Sequence, residues 1–327
     1  MAIKCDNCKK NAIIYLAYGK HNFCKDHFNY FFEKRFKKTI RQFKLIENKD
    51  LLGVATSGGK DSMVLLYLVN KIFKSKRLNF CAIFVDEGTP DYSNKTKEVV
   101  VNFCKENQIK LLESSHENEF GKSTADVAKE YNKKEGSVCT YCGVMRRQTI
   151  NKLANIKGVT KVATGHNLDD ECQTILMNLM DNDLTRFFRT GPKVGIIRMK
   201  ETKPRIKPFY LTPEKEIAAY ALYNNIPFHH CNCPFFRGAK RNQFRNFLNE
   251  TEVIHPGSKF SLVKSFLSIK DLVKTKEILS KIKTKEIRKC KICGTETSSQ
   301  ICKACELLKV WCLKKYFLLK KLNLKKK

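Results

Sequence analysis

Ser57-Gly58-Gly59-Lys60-Asp61-Ser62 stands between an apolar β-branched run, LLGVAT, and a helix-forming run, MVLLYLVNKI. Glycines in such a turn let backbone N–H groups close on a phosphate, and the amino end of the following helix adds partial positive charge. The segment does not meet the G-x-x-x-x-G-K-[ST] pattern, so it is a different kind of phosphate loop. A second run ends in Val85-Asp86-Glu87-Gly88, an acidic strand exit of a kind common in α/β proteins. A fourth ends in Thr164-Gly165-His166-Asn167-Leu168-Asp169-Asp170-Glu171 and opens a helix. Asn167 or Asp169 suits the helix cap. The adjacent carboxylates, Asp170 above all, suit Mg²⁺ or a group that polarises a reacting atom at the phosphates.

The cysteines form three sets. Cys5-x2-Cys8 with Cys24-x2-His27, and Cys290-x2-Cys293 with Cys302-x2-Cys305, each offer four ligands from two tight turns. That is the pairing a tetrahedral, structural Zn²⁺ site requires, so two zinc ions are expected and neither is expected to do chemistry. The third set is incomplete: Cys139-x2-Cys142, with Cys233-Pro234 or Cys231 about ninety residues downstream. Spacing alone leaves three readings open. Three thiolates on a [4Fe–4S] cluster would leave one iron open to an exogenous ligand; Cys231 would complete a third zinc site; a C-x-x-C pair would serve as a redox dithiol. Cys81, Cys104, Cys172 and Cys312 lie in apolar or helical runs and read as packing residues.

These groups need a scaffold, and the chain supplies one. LLGVATS, NFCAIFVDE, IKLLESS and VTKVATGH are short apolar runs without polar alternation, each ahead of a helical pattern. Buried parallel strands look like this, so the expected fold is a doubly wound α/β sheet with its site at the carboxyl ends of the strands. A basic aromatic helix is expected from about Asp26 to Glu47, helices over 240–285, and a basic amphipathic helix or frayed tail at the end of the chain. The resulting division is an amino-terminal zinc finger (1–30), an α/β domain with a helical extension (31–285), and a carboxyl-terminal zinc finger with a basic tail (286–327).

Composition narrows the partner. The 327 residues carry 63 Lys and Arg against 32 Asp and Glu, a formal charge of +31, with 42% hydrophobic residues. So much apolar content excludes a wholly disordered basic tail, and the charge points to a polyanion, with nucleic acid first and an acidic membrane surface second. Residues 186–209 hold eight Lys or Arg and one Glu with Phe interleaved, the mixture that neutralises phosphates and stacks on unpaired bases. No stretch of 18 apolar residues exists, and the start lacks the apolar core of a signal peptide, so a cytoplasmic protein without a membrane partner is expected. Fifteen cysteines in such a chain read as metal or redox groups rather than disulfides.

The order Ser-Gly-Gly-x-Asp-Ser resembles the PP-loop of the ATP pyrophosphatase superfamily, enzymes that split ATP into AMP and pyrophosphate while adenylating a substrate. This implies ATP on Ser57, Gly58, Gly59, Lys60, Asp61 and Ser62, with Asp86, Gly165 and Asp170 beside it. The whole series is more specific. An amino-terminal finger, a PP-loop, C-x-x-C-G at Cys139 to Gly143, Cys233-Pro234 and a carboxyl-terminal finger, in that order, resemble the TtcA/TtuA family of tRNA 2-thiolation enzymes in its archaeal and eukaryotic-type branch. The resemblance implies a tRNA substrate, a [4Fe–4S] cluster on Cys139, Cys142 and Cys233, a catalytic carboxylate at Asp170, and a homodimer. Arg146, in a segment like C-G-x-x-[KR]-R, becomes a candidate for contacting phosphate or substrate. AMP transfer to the uracil C2 oxygen, with Lys60, backbone N–H groups and Mg²⁺ steadying the phosphates, would make that oxygen a leaving group. Hydrosulfide on the open iron would then give 2-thiouridine. Asn and Cys usage argues against a hyperthermophile and toward the wobble uridine rather than the T-loop one. The sulfur donor is expected to be sulfide or a persulfide or a ubiquitin-like carrier. Alternatives are a PP-loop ligase for another acceptor, an iron-free persulfide thiolase on Cys142 and Cys233, and a non-catalytic zinc-dependent RNA-binding adaptor.

Overall fold

The computed structural model describes residues 2–74, 78–129, 138–195, 201–230, 233–235, 241–273 and 287–308. Cys231, Cys312 and the terminal basic segment lie outside the described residues, as do 196–200 of the basic run.

A short antiparallel hairpin, β1 (Ile14–Leu16) and β2 (His21–Phe23), leads into α1 (Lys25–Gln42). Phe28, Phe32, Phe36 and Ile40 recur every fourth residue along α1, and all are buried, the periodicity that turns one helical face inward. α1 stops five residues before the expected Glu47. Lys44 adopts a left-handed backbone with φ 48°, and the Leu45 amide bonds back to the Ile40 carbonyl at 3.0 Å. This closure satisfies the helix end and drops Leu45 into the core.

The four apolar runs become β3 (Leu51–Ala55), β4 (Asn79–Asp86), β5 (Leu111–Ser115) and β6 (Lys161–Ala163). Between them run α2 (Lys60–Phe73), α3 (Tyr92–Glu106), α4 (His116–Phe120), α5 (Thr124–Lys129) and α6 (Val138–Lys157). After β6 come α7 (Leu168–Met180) and α8 (Leu184–Arg189), then β7 (Lys193–Val194) and β8 (Arg205–Ile206). Last are α9 (Glu214–Tyr223), α10 (Arg241–Ile254), α11 (Ser258–Leu272), the pair β9 (Arg288–Lys289) and β10 (Glu296–Thr297), and α12 (Lys303–Leu307). The six-stranded sheet has the order β5-β4-β3-β6-β8-β7, parallel except for β7 against β8. The doubly wound α/β architecture is therefore present, with one short antiparallel edge that the basic run conceals in sequence.

The chain winds outward from β3 through β4 to β5, then returns to place β6 on the other side of β3. Such a reversal opens a crevice at the carboxyl ends of β3 and β6, where open α/β sheets bind ligands. α1 packs on the same core as the sheet: Phe32 stacks on Tyr220 with ring centroids 4.3 Å apart, and Phe36 meets Phe209 at 5.4 Å. Among the described residues, no helix is long and apolar enough to cross a membrane.

Candidate active site

At the end of β3 the chain turns through Gly58, whose φ is 77°. A Cβ there would lie 2.8 Å from the Thr96 carbonyl oxygen and 2.9 Å from its Cα, so both the dihedral and the space require glycine. The turn is braced from within. The Ser57 amide donates to Ser62 Oγ at 3.0 Å, and Ser62 Oγ donates to the Gly59 carbonyl at 2.9 Å. Gly59 caps α2, leaving the first amides of that helix toward the crevice. The loop after β6 comes against this turn: a Cβ on Gly165 would stand 2.9 Å from the Asp61 carbonyl carbon.

The result is a cleft of ≈ 380 Å³, within the size of small-ligand sites. It is lined by Ser57, Gly59, Asp61, Ser62, Gly165 and Asp170, which the sequence singled out as one site, and also by Arg146 and Cys233. Three nucleotide-site candidates stand outside the lining, the first being the turn residue Gly58. Lys60 directs its ammonium to Glu214 at 2.6 Å and Asp61 at 3.2 Å, and Asp86 accepts from the Gly88 amide at 2.8 Å; neither lines the cleft. The carboxylate on the cleft wall at the β4 exit is Glu87, paired with Arg146 at 2.7 Å. An acidic pair side by side in sequence gives no sign of which member faces inward.

The acidic run that opens α7 separates into three roles. Asn167 is the cap, accepting from the Asp170 amide at 3.0 Å, while Asp170 accepts from the Asn167 amide at 3.3 Å. Asp169 is buried against the Lys259 ammonium and accepts from the Glu214 amide at 2.7 Å, and Glu171 is buried against Lys207 at 2.6 Å. Of the three, Asp170 alone lines the cleft, with Arg241 on one oxygen at 3.1 Å. Burial pushes the Asp61 carboxyl up to about 6, with Lys60 pulling against it and Asp170 and Glu214 adding to it. Two carboxylates on the wall of one cleft suit a divalent cation between them. Burial also holds His166 down to about 4 despite Asp170, so the ring is neutral near pH 7.

The opposite wall is cationic. Arg147 and Arg205 line it with Arg146. Burial and then Arg147 lower Arg205 to about 10, and burial and then Arg146 lower Arg147. Guanidinium groups gathered at this cost favour an anion among them. Arg147, Arg205, Glu87, Tyr92 and His166 could not be chosen from sequence, because the elements that carry them are far apart along the chain.

At the cleft mouth, Cys139 and Cys142 lie on α6, and the Cys139 thiol donates to the Phe235 carbonyl at 3.5 Å, tying α6 to the Cys233 segment. Burial and the Cys233 thiol raise Cys139, and burial and Glu87 raise Cys142. All three are free thiols. Their ligand atoms do not all lie within 4.8 Å of one another, as those of the two terminal sets do. In the amino-terminal set Cys5 to His27 Nδ1 is 3.5 Å, Cys24 to His27 Nδ1 3.3 Å and Cys8 to Cys24 3.7 Å. In the carboxyl-terminal set Cys293 and Cys302 are 3.6 Å apart, and the Cys302 amide donates to Cys290 at 3.2 Å. Both sets have the donor chemistry and closeness of a tetrahedral metal site.

Comparison with known proteins agrees with this geometry. A family described as the PP-loop domain matches residues 29–252, and one described as the 2-thiouridine synthetase TtuA N-terminal LIM domain matches residues 4–29. The chain is 31% identical to tRNA 2-thiolation protein NcsA of Haloferax volcanii, over 94% of this chain and 98% of that one. It is 34% identical to tRNA-5-methyluridine(54) 2-sulfurtransferase of Pyrococcus horikoshii, over 96% and 95%. It also resembles the solved U34-tRNA thiolase NcsA of Methanococcus maripaludis with its [4Fe–4S] cluster, at TM-score 0.77 and 27% identity over 94% and 96%.

Proposed function

Because this chain belongs to the PP-loop family of tRNA 2-thiolation enzymes, we propose that it replaces the C2 oxygen of the wobble uridine with sulfur at the expense of ATP. One observation carries the reading: a single cleft is lined by the phosphate loop and by Cys233, beside the helix that bears Cys139 and Cys142.

The loop from Ser57 to Ser62, with the amino end of α2, would hold the ATP phosphates. The uracil C2 oxygen attacks the α-phosphorus and pyrophosphate leaves; sulfur then adds to C2, and AMP departs with the former oxygen. Asp61 and Asp170 would hold Mg²⁺, which supplies charge neutralisation on the phosphates. Lys60, held between Asp61 and Glu214, fixes the Asp61 carboxylate and the start of α9. Arg146, half exposed on the cleft wall, would meet the phosphate or the incoming base, with Arg147 and Arg205 beside it on the anion-binding wall. Cys139, Cys142 and Cys233 would hold a [4Fe–4S] cluster, whose iron without a protein ligand supplies a place for sulfur. Cys5, Cys8, Cys24 and His27, and Cys290, Cys293, Cys302 and Cys305, would each hold Zn²⁺ and stabilise their modules. The division 1–30, 31–285 and 286–327 follows these roles.

A base in an anticodon loop is already unpaired, whereas a T-loop base would have to be opened first. This supports the wobble position, although the relative named for position 54 is 34% identical and the solved structure named for U34 is 27% identical. The family resemblance supports a homodimer, a cytoplasmic setting and a sulfur donor that is sulfide or a ubiquitin-like carrier.

The test is nucleoside mass spectrometry of unmodified tRNA incubated anaerobically with the protein, ATP, Mg²⁺ and sulfide. The expected product is ATP-dependent 2-thiouridine in the anticodon fragment, absent from Cys139→Ala, Cys142→Ala and Cys233→Ala. A thiolated T-loop fragment overturns the position. Neither thiouridine nor tRNA-dependent AMP would leave an RNA-binding adaptor.

A further inference from the structure

Helix α6 has two working faces. Cys139, Cys142 and Arg146 follow one another at intervals of three and four residues and share one; Tyr141, Met145 and Gln148, at intervals of four and three, share another. The second face carries no part of the cleft. Tyr141 and Met145 are buried in a small core with Cys290, Cys302, Cys305 and Leu308, so the carboxyl-terminal cysteine knuckle is packed on the back of the helix whose front presents the site. Gln148 makes the polar connection. Its Nε2 donates to Thr295 Oγ1 at 3.1 Å, and reaches Cys302 Sγ at 3.8 Å and Cys293 Sγ at 4.0 Å. Its Oε1 is buried without a partner, so the polar contacts this amide makes are spent on the knuckle. A metal-bound thiolate accepts hydrogen bonds and does not donate them, which fixes the amide in this orientation.

We propose that Gln148 is a positioning residue that couples metal occupancy of the Cys290–Cys305 knuckle to the placement of Cys139, Cys142 and Arg146. With metal bound, the thiolates hold the Gln148 amide and the knuckle completes the core under Tyr141 and Met145. When the metal leaves, the acceptors become thiols, the knuckle loses its folding energy, and α6 is released from its back face. The inference rests on the reading of Cys139, Cys142 and Arg146 as site residues, but its test does not use thiolation, so the two fail separately.

The experiment is hydrogen–deuterium exchange of the full chain, following peptides over 138–157 and 287–308, with zinc release to a chromophoric chelator measured alongside. Chelation that opens 287–308 should raise exchange over 139–147 about tenfold or more. Q148L should raise it with zinc still bound. Q148E, which has the shape of glutamine but sets a carboxylate against the thiolates, should release zinc roughly 10–100-fold faster. T295V, a milder change that removes the shortest bond, should give an intermediate effect if Q148L does not fold. An emptied knuckle that leaves 139–147 protected, or wild-type exchange there in Q148L and Q148E, overturns the coupling.

Discussion

Asp170 combines a helix-capping role with a place on the cleft wall, and the two can be separated. Asp170→Asn keeps the oxygen that accepts from the Asn167 amide but removes the charge. The melting temperature should therefore move little, while kcat/KM for tRNA-dependent AMP release falls roughly 10²-fold, the scale for losing one preorganised charge at a transition state. An unchanged rate would remove Asp170 from the chemistry. The neighbouring acids predict the reverse: Asp169 and Glu171 are buried against Lys259 and Lys207, so neutralising either leaves a lysine unpaired and should lower stability. Three consecutive acids thus carry three different roles, and only side-chain direction distinguishes them.

At the scale of elements, the loops after β3 and β6 meet without room for a side chain. Gly165→Ala should cost about 1–3 kcal/mol, because its Cβ would press on the Asp61 backbone, and should weaken ATP binding with it. Denaturant unfolding and nucleotide titration check the two effects; full affinity for ATP would show that the loops do not shape the cleft. The segment behind α6 gives a pH signature. His116 at the start of α4 is fully buried, its Nδ1 3.1 Å from Thr124 Oγ1, and burial lowers it to about 4 from an ordinary 6.5. The unfolded chain therefore binds the extra proton first. The contribution of His116 to stability is complete above about pH 6.5 and declines by up to about 1.4 kcal/mol per pH unit as the pH falls toward 4. Unfolding free energies measured over that range should show this slope flattened in His116→Gln; identical slopes would rule out His116 as its source.

On the scale of the molecule, the charge of +31 is spread across many elements. Binding to tRNA should then weaken by about tenfold or more between roughly 50 and 200 mM salt, as counterions released from phosphates are recaptured. Salt-independent binding would place recognition elsewhere than on the backbone. The amino-terminal module is joined to the sheet rather than appended to it. Arg35 of α1 pairs with Glu216 of α9 at 2.7 Å, and Tyr18 donates to the same carboxylate at 2.7 Å. Metal loss at Cys5, Cys8, Cys24 and His27 would therefore be felt in the common core.

Local chemistry wrote the phosphate loop, the two compact cysteine modules and the four parallel strands into the sequence. Each depends on residues within a few positions of one another, so glycine conformation, ligand spacing and hydrophobic runs are legible there. The early stop of α1 and the short β7–β8 edge were not, because a left-handed lysine and a two-residue strand are decided by what they pack against. The same holds for the choice of Glu87 over Asp86 on the cleft wall, the inward turn of Asp170 alone, and the gathering of Arg146, Arg147 and Arg205. Those arrangements follow from the reversal of winding at β3, which brings side chains from distant elements to one crevice. A pattern of residue types fixes what a segment can do, but the direction a side chain points is set by the strand and helix it meets.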